Sequence, residues 1–311
     1  MKHLLRSMVV TSLMLLFCAY ISGCGTVNSA PTPSHSPDDT PRNTVFSFLV
    51  PESSGTAVYS NSLSSIDSSN CADGYIMIKY TGQSSKAKIR ITIPDGVTYT
   101  YTLFGNEYRT FPLSGGDGIY QVTVYENVQD DMYAVVNSQT LNVSLTDEFV
   151  PFLYPNYYSW YTAETEAVQL GIQLSSHTYN DLEYLCEVYD YIISNITYDQ
   201  ELADSGPVDY VPDVDRTLNT GKGICFDYAA LMTSMLRSQG IPTKLEVGYS
   251  GKVYHAWISV YLEETGWVDG IIQFDGQSWS LMDPTLAAGN SSKAVGRYIG
   301  DGSNYTLKYS Y

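Results

Sequence analysis

Gly221-Lys222-Gly223-Ile224-Cys225-Phe226-Asp227-Tyr228-Ala229 opens the stretch that decides the fold. Behind the cysteine, Tyr228, Leu231, Met232, Met235 and Leu236 fall at i, i+3, i+4, i+7 and i+8, the period of one helix face. Gly240 just past this run and Pro242 beyond it form a stop signal. Cys225 is therefore predicted at a helix N-terminus, after glycines. Unpaired N–H groups and the helix dipole favour a thiolate there, lower its pKa and can hold an oxyanion. A structural cysteine belongs mid-helix on an apolar stripe, and Cys186 reads that way.

Downstream the period falls to two. Leu245, Val247 and Tyr249 alternate with Lys244, Glu246 and Gly248, and the run from His255 to Leu262 reads as a second strand with His255 at its start. A later strand over 278–283 ends at Asp283, because Pro284 cannot continue a ladder. His255 and Asp283 are thus expected on neighbouring antiparallel strands facing the cysteine helix. That order suits nucleophilic chemistry: an imidazole takes the thiol proton and returns it to a leaving amine, and a carboxylate fixes the imidazole's tautomer. Alone, each residue has a plainer reading, as a strand-start histidine or a turn-forming aspartate. Apart from His3 in the leader, the other histidines are His35, in a polar tract, and His177.

Upstream, residues 163–174 can be helical, and Leu182, Leu185, Cys186, Tyr189, Ile192 and Ile193 make one helix face that begins at an Asn180/Glu183 capping box. Residues 199–222 read as a solvated loop carrying Asp199, Asp204, Asp209, Asp213 and Asp215, whose spacing fits no EF-hand. Before a Pro/Tyr-rich crossover at 151–161 the pattern is β. Apolar or alternating runs at 45–50, 75–80, 89–93, 97–103, 119–125 and 141–145 are separated by Asp95-Gly96 and Gly-rich turns. Such short strands predict an antiparallel sandwich over 44–150, with no catalytic constellation in it.

The first residues stand apart. Lys2 and Arg6 precede an apolar run too short to span a membrane, which ends Ile21-Ser22-Gly23-Cys24. This resembles a bacterial lipobox, which implies cleavage before Cys24, lipidation of its sulfur and a tether over 24–43. The expected organisation is a signal at 1–23, that tether, a β domain at 44–150 and an α+β domain at 151–311. The location expected from it is the outer face of a cell membrane.

A charged fraction of 16% against 44% hydrophobic residues argues for a folded chain. The net charge of −17, without a Lys/Arg cluster after the leader, argues against a nucleic-acid partner. Cys71, Cys186 and Cys225 are too few and too far apart for a disulfide framework. No phosphate loop, dinucleotide fingerprint or zinc spacing is present, so no cofactor is expected.

Gly223-Ile224-Cys225-Phe226-Asp227-Tyr228-Ala229, then Arg237, Gly240-Ile241-Pro242, His255-Ala256-Trp257 and Asp283-Pro284-Thr285 together resemble the transglutaminase-like superfamily in motif order and spacing, as does Ile196-Thr197-Tyr198-Asp199 upstream. The resemblance covers about residues 180–290. It implies a papain-like α+β core with Cys225 as nucleophile, His255 as general base and acid, and Asp283 as orienter. Tyr198 becomes a candidate second oxyanion donor by motif position, and Trp257, on the His255 face of its strand, a candidate lining residue. Asp227 and Arg237 are read as structural. The expected activity is acyl transfer from protein or peptide amides, such as surface proteins or wall peptides. Protease or amidase action is favoured over amine transfer, since water is always at hand. A surface-binding lipoprotein on an inactive enzyme scaffold is the alternative.

Overall fold

The computed structural model describes residues 41–42, 49–269, 273–274, 279–280 and 305–311. The signal and Cys24, nearly all of the tether, most of the 45–50 run, and Asp283 lie outside the described residues.

Eight strands precede the crossover: β1 (Val58–Ser60), β2 (Ser64–Asp67), β3 (Tyr75–Tyr80), β4 (Lys86–Thr92), β5 (Thr98–Phe104), β6 (Arg109–Pro112), β7 (Gly118–Gln129) and β8 (Met132–Val143). They form two antiparallel four-stranded sheets, ordered β1-β2-β3-β6 and β5-β4-β7-β8. Period-two alternation explains the second sheet. β4 buries Ala87, Ile89 and Ile91 and turns Lys88 and Arg90 outward, and β7 buries Tyr120, Val122 and Val124. The Asp95-Gly96 turn closes the β4–β5 hairpin, with Gly96 at φ +90° and the Asp95 carboxylate accepting from Val97 N–H at 2.9 Å. Three strands gave no sequence signal, because β1, β2 and β6 are short, and β2 reads Ser-Ser-Ile-Asp without alternation.

Beyond the crossover come α1 (Glu166–Ser175), α2 (Asp181–Asn195), β9 (Thr197–Tyr198), α3 (Gln200–Asp204), α4 (Val214–Thr220), β10 (Lys222–Gly223), α5 (Cys225–Arg237), β11 (Thr243–Ser250), β12 (Val253–Leu262), β13 (Gly266–Val268), β14 (Gln273–Phe274), β15 (Trp279–Ser280) and β16 (Tyr305–Ser310). Asn180 caps α2 as expected, its side chain accepting from Glu183 N–H at 2.9 Å. Cys186 is only half-buried, at the margin of the α2 core face rather than within it. Among the described residues Cys71 and Cys225 are free thiols.

The stretch 199–222 is not the solvated loop expected. It holds α3 and α4, and its aspartates are engaged. Asp199 and Asp213 are N-caps, accepting from Leu202 and Arg216 N–H at 2.9 and 3.0 Å. Asp215 accepts from Glu166 and Ala167 N–H at the start of α1, and Asp209 from Thr102 on β5. Among the described residues no three His, Cys, Asp or Glu side chains stand close enough to hold a metal.

α5 is the central element. Every residue from Asp227 to Arg237 is buried, more than one amphipathic stripe requires. The sheet β13-β12-β11-β16 covers one side and α1, α2 and α4 pack elsewhere. The helix ends as Gly240 takes φ +79°, while Ile241 and Gly240 N–H bond back to the Leu236 and Arg237 carbonyls. Arg237 then clamps three segments to the helix end: its fully buried guanidinium donates to the carbonyls of Thr243, Tyr154 and Tyr311 at 2.6–2.8 Å. The two halves of the chain share one core. Tyr101 of β5 packs against Tyr157, Tyr158 and Tyr311 with ring centroids 5.4–6.0 Å apart, and Tyr158 against Phe226 at 5.0 Å.

Candidate active site

Two glycines deliver Cys225 to its place. Gly221 closes α4 in the left-handed conformation at φ +62°. Gly223 pairs with Tyr198 across the parallel β9–β10 ladder and lies so close to α5 that a Cβ there would stand 2.6 Å from the Cβ of Asp227. Ile224 is extended and its side chain offers no cap. Asp227 takes that task from the third helical position: its buried carboxylate accepts from Ile224 N–H at 2.9 Å, from the Tyr210 hydroxyl at 2.7 Å and from Arg216 at 3.0 Å. Arg216 also donates to the Tyr210 hydroxyl. Burial raises the Asp227 pKa and these donors oppose the rise. Asp227 has the structural role expected of it, whereas nothing in the spacing points to Tyr210 or Arg216; an acid three residues after a would-be N-cap is the signal available for the cap itself.

Main-chain N–H groups of Ala256 on β12, of Phe226 and of Cys225 itself act on the Cys225 thiol. These lower the thiol pKa, yet burial outweighs them, with the nearby Asp227 charge adding to it, so the net shift is upward. The expectation of a thiolate stabilised outright by the helix terminus is corrected: desolvation at a packed helix start exceeds the dipole's contribution.

His255 is the third residue of β12, not its first, and is 7% exposed. It stands opposite Gly248 of β11. Burial depresses its pKa to about 4, and its Nε2 is buried without a hydrogen-bond partner among the described residues. Tyr198 lies at the same place: the Cys225 main-chain N–H bonds to its hydroxyl, and burial pushes its pKa up to about 12, so it carries its proton at neutral pH.

Cys225, His255 and Tyr198 share a cavity of about 760 Å³. Its walls include Phe226, Tyr158, Tyr254 and Tyr311, the acids Asp204 and Asp209 with Tyr210, and Lys88, Thr100 and Thr102 from the β half. Trp257 is not among the lining residues. It is 3% exposed, its indole N–H donates to Glu246 at 2.7 Å, and its ring lies 6.3 Å from that of His255. Glu246 also accepts from Ser259 at 2.7 Å, so a buried carboxylate locks the strand face beside His255. A second cavity of about 430 Å³, lined in part by Arg109 and Trp160, contains neither Cys225 nor His255.

Chemically, a thiol, an uncharged imidazole, a neutral phenol and several main-chain N–H groups converge on one cleft. This set can attack a carbonyl, hold the resulting oxyanion and shuttle one proton.

Comparison with known sequences agrees with this geometry. Residues 169–270 match the sequence model of the transglutaminase-like superfamily, and this part of the chain is a transglutaminase-like domain. Over 121 residues the chain is 32% identical to the uncharacterized protein YebA of Bacillus subtilis; the match covers 32% of this chain but only 16% of that protein's length. Among solved structures, a candidate cysteine protease from Cytophaga hutchinsonii overlaps 82% of this chain and 74% of its own at 15% identity and a TM-score of 0.38. A candidate protease from Parabacteroides distasonis overlaps 64% of this chain and 61% of its own at 14% identity and a TM-score of 0.30.

Proposed function

We propose that the protein is an extracytoplasmic cysteine enzyme that transfers acyl groups from amide bonds of protein or peptide substrates, with water as the usual acceptor. The observation that carries this reading is the single cavity in which Cys225, at the first residue of a buried helix, meets His255 and the Tyr198 hydroxyl.

The sulfur of Cys225 attacks the amide carbon as its proton passes to His255. The oxyanion on the former carbonyl oxygen takes hydrogen bonds from main-chain N–H groups at the helix start and from the Tyr198 hydroxyl. The C–N bond then breaks, His255 protonates the departing amine, and a thioester remains on Cys225. Water attacks the thioester, gives its proton to His255 and releases a carboxylic acid, and the thiol is restored. Asp283 is assigned the orienting role. A buried imidazole N–H requires an acceptor, Nε2 of His255 has none among the described residues, and Asp283 is the carboxylate that the family motif supplies.

Incubation of the folded protein with a peptide library and a labelled primary amine separates the outcomes. New peptide ends, deamidation or amine incorporation, each abolished in Cys225→Ala, support acyl transfer and name its acceptor. No turnover, with no difference from Cys225→Ala, sinks the reading. The membrane attachment is tested separately: fatty-acid labelling in a bacterial host should be lost in Cys24→Ser, and unchanged labelling would contradict lipidation at Cys24.

A further inference from the structure

The outward face of the second sheet is chemically unlike the rest of the protein. On β4, Lys86, Lys88, Arg90 and Thr92 point away from the core, between the buried Ala87, Ile89 and Ile91. Register identifies their neighbours on the same face. Lys88 stands between Thr102 and Tyr125, Arg90 between Thr100 and Thr123, and Thr92 between Thr98 and Gln121. Ser138 and Thr140 of β8 continue these rows beside Thr123 and Gln121. None of these positions is Asp or Glu, although the chain has 33 acidic residues to 16 basic ones.

This face runs into the active-site cavity, since Lys88, Thr100 and Thr102 are part of its wall. The charges along it are not equally committed. Lys86 lies 3.9 Å from Asp209, which also accepts from Thr102, so Lys86 is matched at the cavity's edge. Lys88 rests over the Tyr133 ring at 4.5 Å and has no ion pair among the described residues, and Arg90 is exposed with none either. Asp204 of α3 also lines the cavity and accepts from Gln200 at 2.7 Å. The β-sheet wall of the cleft thus carries Lys88 without an ion pair among the described residues, while Asp204 and Asp209 are each engaged by the protein itself.

We propose that the outward face of β4 and β5 is an extended substrate subsite that selects acidic polypeptides, with Lys88 and Arg90 reading carboxylates two residues apart. This rests on the acyl-transfer reading of Cys225 and adds the substrate class to it. Lys88 and Arg90 are two residues apart on one strand, roughly 6.6 Å, and same-side residues of an extended peptide repeat at that spacing. A peptide whose reacting amide is at Cys225 thus lays a Glu-x-Glu flank along the sheet, where Thr100 offers an exposed hydroxyl. Lys–carboxylate pairs at such exposure are individually weak and salt-sensitive, so the selectivity is modest and falls as ionic strength rises.

The test uses binding, which does not require turnover. Two peptides identical but for a Glu-x-Glu or Gln-x-Gln flank, each built with the flank on either side of a central Gln, are titrated against the full chain carrying Cys225→Ala. The acidic version on one side should bind roughly 3- to 10-fold tighter in low salt, and the difference should vanish at high salt. It should also vanish in Lys88→Gln/Arg90→Gln, and charge reversal to Lys88→Glu/Arg90→Glu should favour a Lys-x-Lys flank instead. A thermal melt confirms that these surface variants fold. Equal binding of both peptides, no binding of either, or a preference untouched by the β4 substitutions overturns the proposal. If the acidic preference holds while no amide is turned over, the acyl-transfer reading fails and the subsite stands.

Discussion

At Cys225 two opposing effects act on one sulfur. Three main-chain N–H groups favour the thiolate, while burial and the neighbouring Asp227 carboxylate disfavour it and prevail. Burial also keeps His255 uncharged, with a pKa near 4. The pair therefore rests as thiol and imidazole, and the proton moves during attack rather than before it. Alkylation of Cys225 by iodoacetamide should accordingly rise with pH through the ordinary thiol range and beyond, without a plateau near neutrality. A plateau below pH 7 would contradict this. His255 also links stability to pH. Its pKa falls from 6.5 in the unfolded chain to about 4 in the folded one, so between those values the unfolded chain holds the extra proton. The histidine's contribution is complete above about pH 6.5 and is lost as pH falls toward 4. Urea midpoints measured across this window should drop with acid, and His255→Gln should flatten that part of the curve.

The elements around Cys225 were legible to different degrees. The helix after it, its Gly240 stop and the strand at His255 were plain from spacing and composition, although both elements are buried on nearly every side. The two short helices at 200–204 and 214–220 were not, because their sequences are mostly polar. Their caps, Asp199 and Asp213, looked like solvated acids until the N–H groups they serve were seen. The Tyr210–Asp227–Arg216 cluster was invisible for another reason: its members come together only in three dimensions. Two substitutions test how these elements hold the site. Gly223→Ala puts a Cβ against Asp227 and Thr217 and must shift the start of α5. Turnover should fall at least about tenfold while the protein still folds, since catalysis is more sensitive to an ångström at the nucleophile than stability is. Arg237→Met leaves the carbonyls of Tyr154, Thr243 and Tyr311 without their buried donor. A loss on the order of 3–5 kcal/mol in urea unfolding is expected, and a loss under about 1 kcal/mol would show that the clamp carries little.

At the scale of the molecule, the division of the sequence into a β part and an α+β part describes the pattern but not the packing. Tyr101, Tyr157, Tyr158, Phe226 and Tyr311 form one aromatic seam from β5 to the residue after the nucleophile. Each such ring pair adds about 0.5–1.5 kcal/mol beyond the area it buries. The Tyr157 hydroxyl fastens the crossover to the Thr102 carbonyl at 2.5 Å. The sheet that looked like a separate domain thus supplies part of the cavity that holds Cys225 and His255, which no linear motif announces. Residues 151–311 expressed alone expose this seam and should lack a cooperative unfolding transition, whereas the full chain should unfold in one step. Two separated transitions in calorimetry would contradict a shared core.

Acyl transfer through Cys225 is tested most directly by mass spectrometry of the intact protein quenched in acid during incubation with an activated ester of a peptide. A thioester adduct mapped to Cys225, slowed by at least about a hundredfold in His255→Ala and absent in Cys225→Ala, is expected. An adduct on another residue, or one on Cys225 that forms equally fast without His255, would contradict it.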